Sequence, residues 1–316
     1  MGQSAVRICL SGPFGRIGQA FLTLVAQRPD IHLRALRRPG APAGQGRVEW
    51  IEGDLSDPAC CDRLLDQQDV LVHLAWSGVP LADHGYAAGL SHGLLPSLHL
   101  MDAARRHPGL RIVYPSSGGT VYADRGDERL HREEDACLPT SPYGIEKLAA
   151  EHYLRVLCGT GHAAARILRV STAYGWQATQ GAQQGFIGIA LRAALQGEPV
   201  RLVGDPGNVR DFIHREDVAR ALLLAALEPM ALGECQVMNI GSGVGTSVRQ
   251  VIALIEQELG HPVATRQEHW DTARGLPGHA VLDISLANSL LGWSPRIALR
   301  EGIRMGLQGI RHAAAA

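Results

Sequence analysis

The sequence predicts an α/β fold with a doubly wound parallel sheet and a smaller, discontinuous C-terminal domain. Three observations support this prediction. Short apolar runs alternate with helical patterns in the first half, a glycine-rich turn follows the first apolar run, and the pattern changes after about residue 175. Strands that alternate with helices form parallel sheets whose two faces are both covered by helices.

Six strands and three helices are predicted in the first half. Buried strands are predicted at 6–10, 32–36, 48–51, 70–74, 111–114 and 164–170. Helices are predicted at 15–27, in a long stretch that ends near His107, and at 145–157.

Turn residues become more frequent in the second half. A loop is predicted at 180–185, with further turns at 204–207, 241–243 and 277–278. A helix is predicted at 218–227, followed by a strand at 233–239 that returns to the main sheet.

These patterns predict two domains. Residues 1–174 are expected to bind a dinucleotide, with 208–240 returning to that domain. Residues 175–207 and 241–316 are expected to form mainly a substrate-binding domain. It should cover the carboxyl ends of the strands, where ligands bind in such folds.

The composition excludes several classes of partner. Hydrophobic residues make up 46% and charged residues 19% of the chain, and the net charge is −1, so no basic excess favours a nucleic acid or an anionic membrane. No apolar run has the length of a membrane span, and the N-terminal segment lacks the layout of a signal peptide. The six cysteines form no CxxC pair or zinc-ligand spacing. We therefore expect a cytoplasmic protein without a metal site.

Three glycines, Gly12, Gly15 and Gly18, lie between the first predicted strand and the first predicted helix. Glycine permits a tight turn and the close approach of a diphosphate, and the free N–H groups of a helix N-terminus attract negative charge. A glycine triplet alone is a weak signal. Its position after an N-terminal strand in a β-α-β pattern favours dinucleotide binding on a Rossmann-type sheet.

Tyr143 and Lys147 are four residues apart at the start of a predicted helix, which places their side chains on one face. Lys147 is the only lysine among the 30 Lys and Arg residues. A cation at about 4 Å is worth about 4 kcal/mol at an effective dielectric of 20, or roughly 3 pKa units. Helped by an oxidised nicotinamide ring, Lys147 is expected to make Tyr143 a general base near neutral pH. The alternative is a partly buried Tyr beside a solvated Lys.

Motifs of one protein family recur along most of the chain. They are the GxxGxxG spacing at 12–18, GDL at 53–55, VHLA at 72–75, SSGGTVY at 116–122, SPYGIEK at 141–147, NVRDFIHRED at 208–217 and LLGWSP at 290–295. These segments resemble those of the extended short-chain dehydrogenase/reductases. In particular, they are similar to the NAD-dependent epimerase/dehydratase family of UDP-glucose 4-epimerase-like nucleotide-sugar enzymes.

The resemblance, together with the residue patterns, implies a site for the cofactor NAD(P) and a nucleotide-sugar substrate. The implied catalytic residues are Tyr143, Lys147 and Ser117. The implied cofactor-binding residues are Gly12, Phe14, Gly15, Arg16, Ile17, Gly18, Arg37, Asp54, Leu55, Leu74, Ala75, Tyr143 and Lys147. The implied substrate-binding residues are Ser117, Thr172, Arg210 and Arg274.

Arg210 is assigned to the substrate diphosphate because its guanidinium fork suits phosphate oxygens and the apolar segment after it can hold it rigidly. The alternative is a surface Arg paired with Asp211 or Asp205. Arg274, in a loop before the last predicted strand, is expected to assist.

The chain departs from the family pattern beside the catalytic pair. Gly118 stands where the family has its catalytic Ser or Thr, so Ser117 is the candidate hydrogen-bond donor, with Ser116 behind it. The alternative is that both hydroxyls only cap the turn. Gly119 and Thr120 replace the Asp and Glu with which the dehydratases eliminate water, which disfavours a dehydratase.

Two further departures concern the substrate side. Thr172 replaces an Asn, and Trp176 replaces a Pro. Both changes weaken any inference about the sugar.

Three functions compete. The first is an NDP-sugar 4-epimerase, which would remove a hydride from a sugar carbon, carbon 4 in the family's chemistry, and return it to the opposite face. The second is an NADPH-dependent reductase of an NDP-4-keto sugar. The third is a non-catalytic NAD(P)-binding sensor or RNA-binding protein. Such relatives commonly lose the Tyr or the Lys, and this chain has both.

The residues that end the second predicted strand bear on cofactor choice. NAD-specific folds have an acidic residue there, but this strand ends in Arg37 and Arg38. A guanidinium favours the 2′-phosphate of NADP(H), so NADP(H) is slightly favoured over NAD. The alternative is that Arg37 stacks on adenine or is solvated.

A homodimer is also expected from the resemblance, because two helices of each family subunit pack as a four-helix bundle. Here these are the helix that ends near His107 and the helix at 145–157. The side chains of the second helix that could supply apolar surface are Ile145, Leu148, His152, Tyr153 and Val156.

Overall fold

The computed structural model describes residues 5–41, 47–76, 86–176, 185–268 and 277–315. Its strands are β1 (Val6–Ser11), β2 (Ile31–Arg37), β3 (Val48–Glu52), β4 (Val70–His73), β5 (Arg111–Ser117), β6 (Ala164–Val170), β7 (Thr172–Tyr174), β8 (Val200–Val203), β9 (Val209–His214), β10 (Cys235–Ile240), β11 (Gly245–Ser247), β12 (Thr265–Glu268) and β13 (His279–Ala280). Its helices are α1 (Arg16–Val25), α2 (Pro58–Leu65), α3 (Tyr86–Gly89), α4 (Leu95–Ala104), α5 (Pro142–Gly159), α6 (Gly185–Gln196), α7 (Arg215–Leu227), α8 (Val248–Leu259), α9 (Ser285–Leu291) and α10 (Leu299–Ala315). A π-helical turn, Leu90–Leu94, joins α3 to α4.

The central sheet has seven parallel strands in the order β10-β6-β5-β4-β1-β2-β3. The direction of winding reverses between β1 and β4, which are hydrogen-bonded neighbours. The predicted doubly wound, Rossmann-type sheet is therefore confirmed. In such sheets ligands bind where the winding reverses, at the carboxyl ends of the strands.

The predicted elements differ from the observed ones mainly at their ends. Strand β5 continues to Ser117, and α5 begins at Pro142 instead of residue 145. Pro142 fits the first turn of a helix because its missing N–H needs no partner there. The Ser141 hydroxyl accepts a hydrogen bond from the Gly144 N–H at 3.1 Å and caps the helix.

Side chains on the two faces of the sheet form two separate cores. Along β1, Ile8 and Leu10 pack with α1 and α7, whereas Cys9 packs with α2, α4 and α5. This alternation follows from the two-residue period of a strand. Tyr114 and Leu154 join β5 to α5 on the second face.

The smaller lobe has its own core between α6, α8 and α10, which includes Ile187, Leu191, Ile255 and Ile303. Its strands form two small sheets, one of β7, β9, β11 and β13 and one of β8 and β12. Residues 208–240 are shared between the lobes. Strand β9 lies in a small sheet, α7 packs on α1, and β10 joins the central sheet. The division into a dinucleotide-binding and a substrate-binding domain stays a prediction.

Two sequence motifs meet behind the central sheet and serve its packing. The fully buried Trp293 donates its indole N–H to the Asp217 carbonyl at 3.0 Å. The Asp217 carboxylate accepts hydrogen bonds from the backbone N–H groups of Arg296 and Ile297. These contacts fix the C-terminal segment on α7. No helix in the described ranges is long and apolar enough to cross a membrane.

Candidate active site

The glycine turn fits a dinucleotide diphosphate because two of its glycines leave no room for a side chain. Gly12 has φ +71°, and a Cβ added there would lie 2.6 Å from the Ala75 nitrogen. A Cβ on Gly18 would lie 2.2 Å from the Gly12 carbonyl oxygen. Gly15 precedes α1, and no side chain caps this helix. The first-turn N–H groups of α1 are thus suited to hold an anion.

Aromatic and charged side chains of the glycine turn, β2 and β3 contact one another. Phe14 stacks on Trp50, with ring centroids 5.6 Å apart and planes 7° apart. Arg37 forms a salt bridge of 3.1 Å with Glu52, its register partner on β3. Arg38 forms a weaker salt bridge of 3.5 Å with Asp54. Sequence reasoning missed Trp50 and Glu52, because both lie on the neighbouring strand.

Ser11 and His73 fix the end of β4 that bears Leu74 and Ala75. The Ser11 hydroxyl lies 2.6 Å from His73 Nδ1 and also accepts a hydrogen bond from the Ala75 N–H. His73 Nε2 lies 2.8 Å from the Ser97 hydroxyl on α4. Burial lowers the pKa of His73 to about 3, so the ring is neutral. The His of the VHLA motif therefore holds β1, β4 and α4 together.

Ser117, Tyr143 and Lys147 come together where β5 ends and α5 begins. The Ser117 side chain lies close enough to the Tyr143 hydroxyl to lower the pKa of Tyr143. The Lys147 ammonium lies 5.9 Å from the centre of the Tyr143 ring and donates to the Pro115 carbonyl at 3.0 Å. The geometry thus brings together the three residues that the sequence assigns to catalysis.

The electrostatics of the pair differ from the simple expectation. Burial raises the pKa of Tyr143 to about 12, and its hydrogen bond with Ser117 offsets only part of this. Burial also lowers the pKa of Lys147 to about 7, against the attraction of Glu151 and Glu146. Lys147 is therefore only partly charged near neutral pH. The ammonium alone does not make Tyr143 a base, because desolvation exceeds its effect.

A buried ion pair fixes α5 against the sheet. Arg169 on β6 binds the Glu151 carboxylate, with its Nη2 2.8 Å from Oε2, and both side chains are almost fully buried. The Ser116 hydroxyl also donates to Glu151. Ser116 therefore points away from the Tyr143 hydroxyl and anchors the helix, whereas Ser117 faces the site. The signal that could have revealed this pair is the charge of Arg169, because all seven residues of its strand are buried.

Thr172 on β7 and Arg210 on β9, two residues predicted to bind the substrate, lie in the same small sheet. A Cβ on Gly119 would lie 3.8 Å from the Thr172 hydroxyl, so Thr172 borders the turn that follows Ser117. Arg210 is largely buried, which lowers its pKa, and its Nη1 donates to the Val209 carbonyl at 2.8 Å. Arg274 lies outside the described residues.

Asp211, one of the alternative partners considered for Arg210, has a different function. Its carboxylate accepts hydrogen bonds from the N–H groups of Ser242, Gly243 and Leu282. Asp211 therefore secures the loop that follows β10. The Arg210 guanidinium contacts the Val209 carbonyl instead.

Comparison with known families identifies the family of this chain. Residues 8–241 match the NAD dependent epimerase/dehydratase family. The chain belongs to this family. Its match includes the glycine turn, the Ser117 turn and the Tyr143–Lys147 helix.

Individual members of the epimerase/dehydratase family cover more than one activity. The chain is 33% identical over 67% of its length to a provisionally named UDP-glucose 4-epimerase of Methanocaldococcus jannaschii, of which 66% is matched. It is 32% identical over 64% of its length to the dTDP-4-dehydro-6-deoxyglucose reductase of Escherichia coli, of which 61% is matched. The chain thus spans less than two thirds of these two relatives.

A solved structure resembles the whole chain. MoeE5 in complex with UDP-glucuronic acid and NAD has a TM-score of 0.86 and 29% identity, and the alignment covers 97% of this chain and 99% of that one. The fold and the family are therefore shown.

The departure from the family pattern at Gly118 has a steric cause. A Cβ there would lie 2.6 Å from Leu282 Cδ1 and 3.0 Å from the Arg169 carbonyl oxygen. A Ser or Thr would not fit without displacement of both neighbours, so the hydroxyl next to Tyr143 comes from Ser117.

The buried Lys147 allows a prediction about stability and pH. Because its pKa is about 7 in the folded protein and about 10.4 when unfolded, the unfolded chain binds more protons between these values. The folded state therefore gains stability as the pH rises from about 7 to 10. We expect Lys147→Met to raise Tm at pH 6.5 by about 3–6 °C and to lower turnover at least about 100-fold.

Calorimetric melts of wild type and variant across pH 6–10 measure this. Arg249→Met, which replaces an exposed cation on α8, is the matched control and should leave Tm nearly unchanged. A Lys147→Met protein that melts below wild type at pH 6.5 would contradict the assigned cost of the buried ammonium.

Proposed function

We propose that this protein is a nucleotide-sugar 4-epimerase that uses NAD. The observation that carries the proposal is that Ser117 and Lys147 both lie beside Tyr143, at the carboxyl ends of the parallel strands, where the glycine turn also lies. A hydroxyl pair of this kind can hold one substrate oxygen while a proton moves to or from it.

The proposed roles follow from what each side chain can do. Tyr143 accepts the proton of the sugar hydroxyl at carbon 4 and later returns it to the same oxygen. Ser117 donates a hydrogen bond to that oxygen, and Lys147 supplies positive charge beside Tyr143. A bound nicotinamide would supply the hydride acceptor and donor, and the positive charge of its oxidised form would favour the phenolate of Tyr143. Thr172 and Arg210 would hold the sugar and the diphosphate, and the reaction consumes no reductant.

The second candidate is a reductase of an NDP-4-keto sugar, which the similarity to the Escherichia coli reductase favours. The same Tyr143 would then donate a proton to the keto oxygen, and one reduced cofactor would be consumed per turnover. Gly119 and Thr120 carry no acid or base, so elimination of water is not proposed. The complete Tyr143–Lys147 pair also weighs against a sensor.

The cofactor proposal corrects the sequence expectation. Arg37 and Arg38 alone favoured NADP(H), but that preference is not supported. Glu52 neutralises Arg37 and would repel a 2′-phosphate, because its carboxylate lies 3.1 Å from the guanidinium. The comparison structure of MoeE5 contains NAD.

The activity test separates the two reactions by their redox balance. Holoenzyme is incubated with a panel of UDP- and dTDP-hexoses, and proton NMR follows inversion at carbon 4 without added cofactor. We expect inversion, a loss of about 10²–10⁴-fold in Tyr143→Phe, and a higher KM with smaller change in kcat in Arg210→Ala. If only keto sugars react, with stoichiometric oxidation of NADPH, the reductase is correct.

The cofactor test compares the affinities of apo protein for NAD and NADP by calorimetry. We expect tighter binding of NAD. Glu52→Gln should shift the ratio toward NADP by about fivefold, since a released guanidinium is worth roughly 1 kcal/mol. The control is Glu49→Gln, the same change at an exposed residue of β3 that forms a salt bridge with Arg34 on β2. Equal ratios in both variants would show that Arg37 and Glu52 do not lie at the ribose.

We also propose a homodimer formed by α5 and the helical segment 86–104. Exposed apolar side chains on these neighbouring elements support it: Tyr86, Leu90, Leu95, Ile145, Tyr153 and Val156. Leu148 packs inward against Val121 and Tyr122, so it does not belong to this surface. Apolar patches of this kind mark interfaces more often than solvent-facing surface.

Light scattering at micromolar concentration measures the oligomer directly. We expect twice the chain mass of 33.9 kDa, and a single chain mass for Val156→Arg. Arg105→Ala, a change to an exposed residue just beyond α4 that is not apolar, should leave the dimer intact. A wild-type protein of single chain mass would refute the dimer.

A further inference from the structure

Trp76 follows Ala75 beyond β4 and lies directly against the Lys147 ammonium. The Lys147 Nζ is 3.8 Å from the centre of the indole ring, close enough for a cation–π interaction. The same indole meets the Tyr143 ring edge to face, with centroids 6.3 Å apart and planes at 87°. Trp76 therefore touches both members of the pair from one side.

The helical segment that carries the π-helical turn leaves space for this indole. A Cβ on Gly93 would lie 3.1 Å from the Cε2 and Cζ2 atoms of Trp76, closer than ordinary contact. A Cβ on Gly89, one turn earlier, would lie 2.3 Å from the Glu146 carboxylate. Trp76 and Glu146 thus pack against a face of this segment that has no side chains of its own.

Few other groups compensate the Lys147 charge. Glu151, one turn further along α5, is bound by Arg169. His73 on β4 is neutral, and Tyr114 on β5 presents its ring at 4.7 Å from the ammonium. Glu146 also attracts the ammonium, but its carboxylate lies against Gly89. The indole face is therefore a principal favourable contact of this charge, next to the Pro115 carbonyl.

We propose that Trp76 is a positioning residue, whose indole face holds the charged Lys147 ammonium beside Tyr143. This inference rests on the proposed role of the Tyr143–Lys147 pair and deepens it. Without the ring face the ammonium keeps its desolvation but loses a compensating attraction. Lys147 then gives up its proton more readily, and Tyr143 loses its charged neighbour at a lower pH.

Lys147 is the only lysine of the chain, so its titration can be observed directly. Protein labelled with [ε-¹³C]lysine gives one lysine side-chain NMR signal, whose chemical shift reports the protonation of Lys147. The intact chain is titrated with and without NAD as wild type, Trp76→Leu and Trp76→Phe. Phe21→Leu is the matched control, an aromatic-to-Leu change on α1 in the core on the other face of the central sheet.

We expect the pKa of Lys147 to fall by about one unit in Trp76→Leu and by less than half as much in Trp76→Phe, which keeps an aromatic face. Phe21→Leu should leave it unchanged. The alkaline limb of the kcat profile should move to lower pH by the same amounts. An unchanged or raised pKa in Trp76→Leu, or equal shifts in Leu and Phe, would overturn the proposal.

Two further results keep this proposal separate from the proposed function. If Trp76→Leu does not fold, Trp76→Met, which also lacks an aromatic face, takes its place and should shift the pKa in the same direction. Its failure to do so would count against the proposal. A shifted pKa in a protein without activity on any nucleotide sugar would refute the function and leave the role of Trp76 standing. Activity with no shift in any variant would refute only the role of Trp76.

Discussion

The buried Glu151–Arg169 ion pair is the interaction on which the candidate site depends. It ties α5, which carries Tyr143 and Lys147, to strand β6, and through Ser116 it also ties α5 to β5. Ser117 comes directly after Ser116 and is the last residue of β5, so the same contacts set its distance to Tyr143. A buried ion pair is costly to form, but loss of one partner leaves an uncompensated charge, which makes the arrangement strongly defined.

Desolvation sets the chemistry of the pair as much as proximity does. Tyr143 and Lys147 are both shifted toward their neutral forms, because the interior solvates charge poorly. Groups that partly restore the charge of Lys147 therefore have a large effect on the site. The Trp76 indole, the Pro115 carbonyl and the positive ring of a bound cofactor all act on the same balance.

At the ends of β2 and β3, too, the charge of a side chain depends on its neighbour. Arg37 alone favours a phosphate, but Arg37 beside Glu52 presents a negative charge as well as a positive one. Parallel pairing places residues from two strands side by side, although fifteen positions separate these two in the chain. The charge presented at the end of β2 is therefore a property of two strand ends and not of one.

The sequence by itself determined the parallel sheet, the glycine turn and the positions of Tyr143, Lys147 and Ser117, because each depends on local periodicity or on a short motif. It did not reveal Glu52, Glu151 or Trp76 as neighbours of those residues, since contacts across strands and between helices are not encoded in spacing along the chain. It also placed Tyr143 in the working range of a base, whereas burial moved its pKa the other way. Tertiary structure decided these points, because pKa values and charge pairing depend on which groups exclude water from a side chain, and only packing assembles those groups.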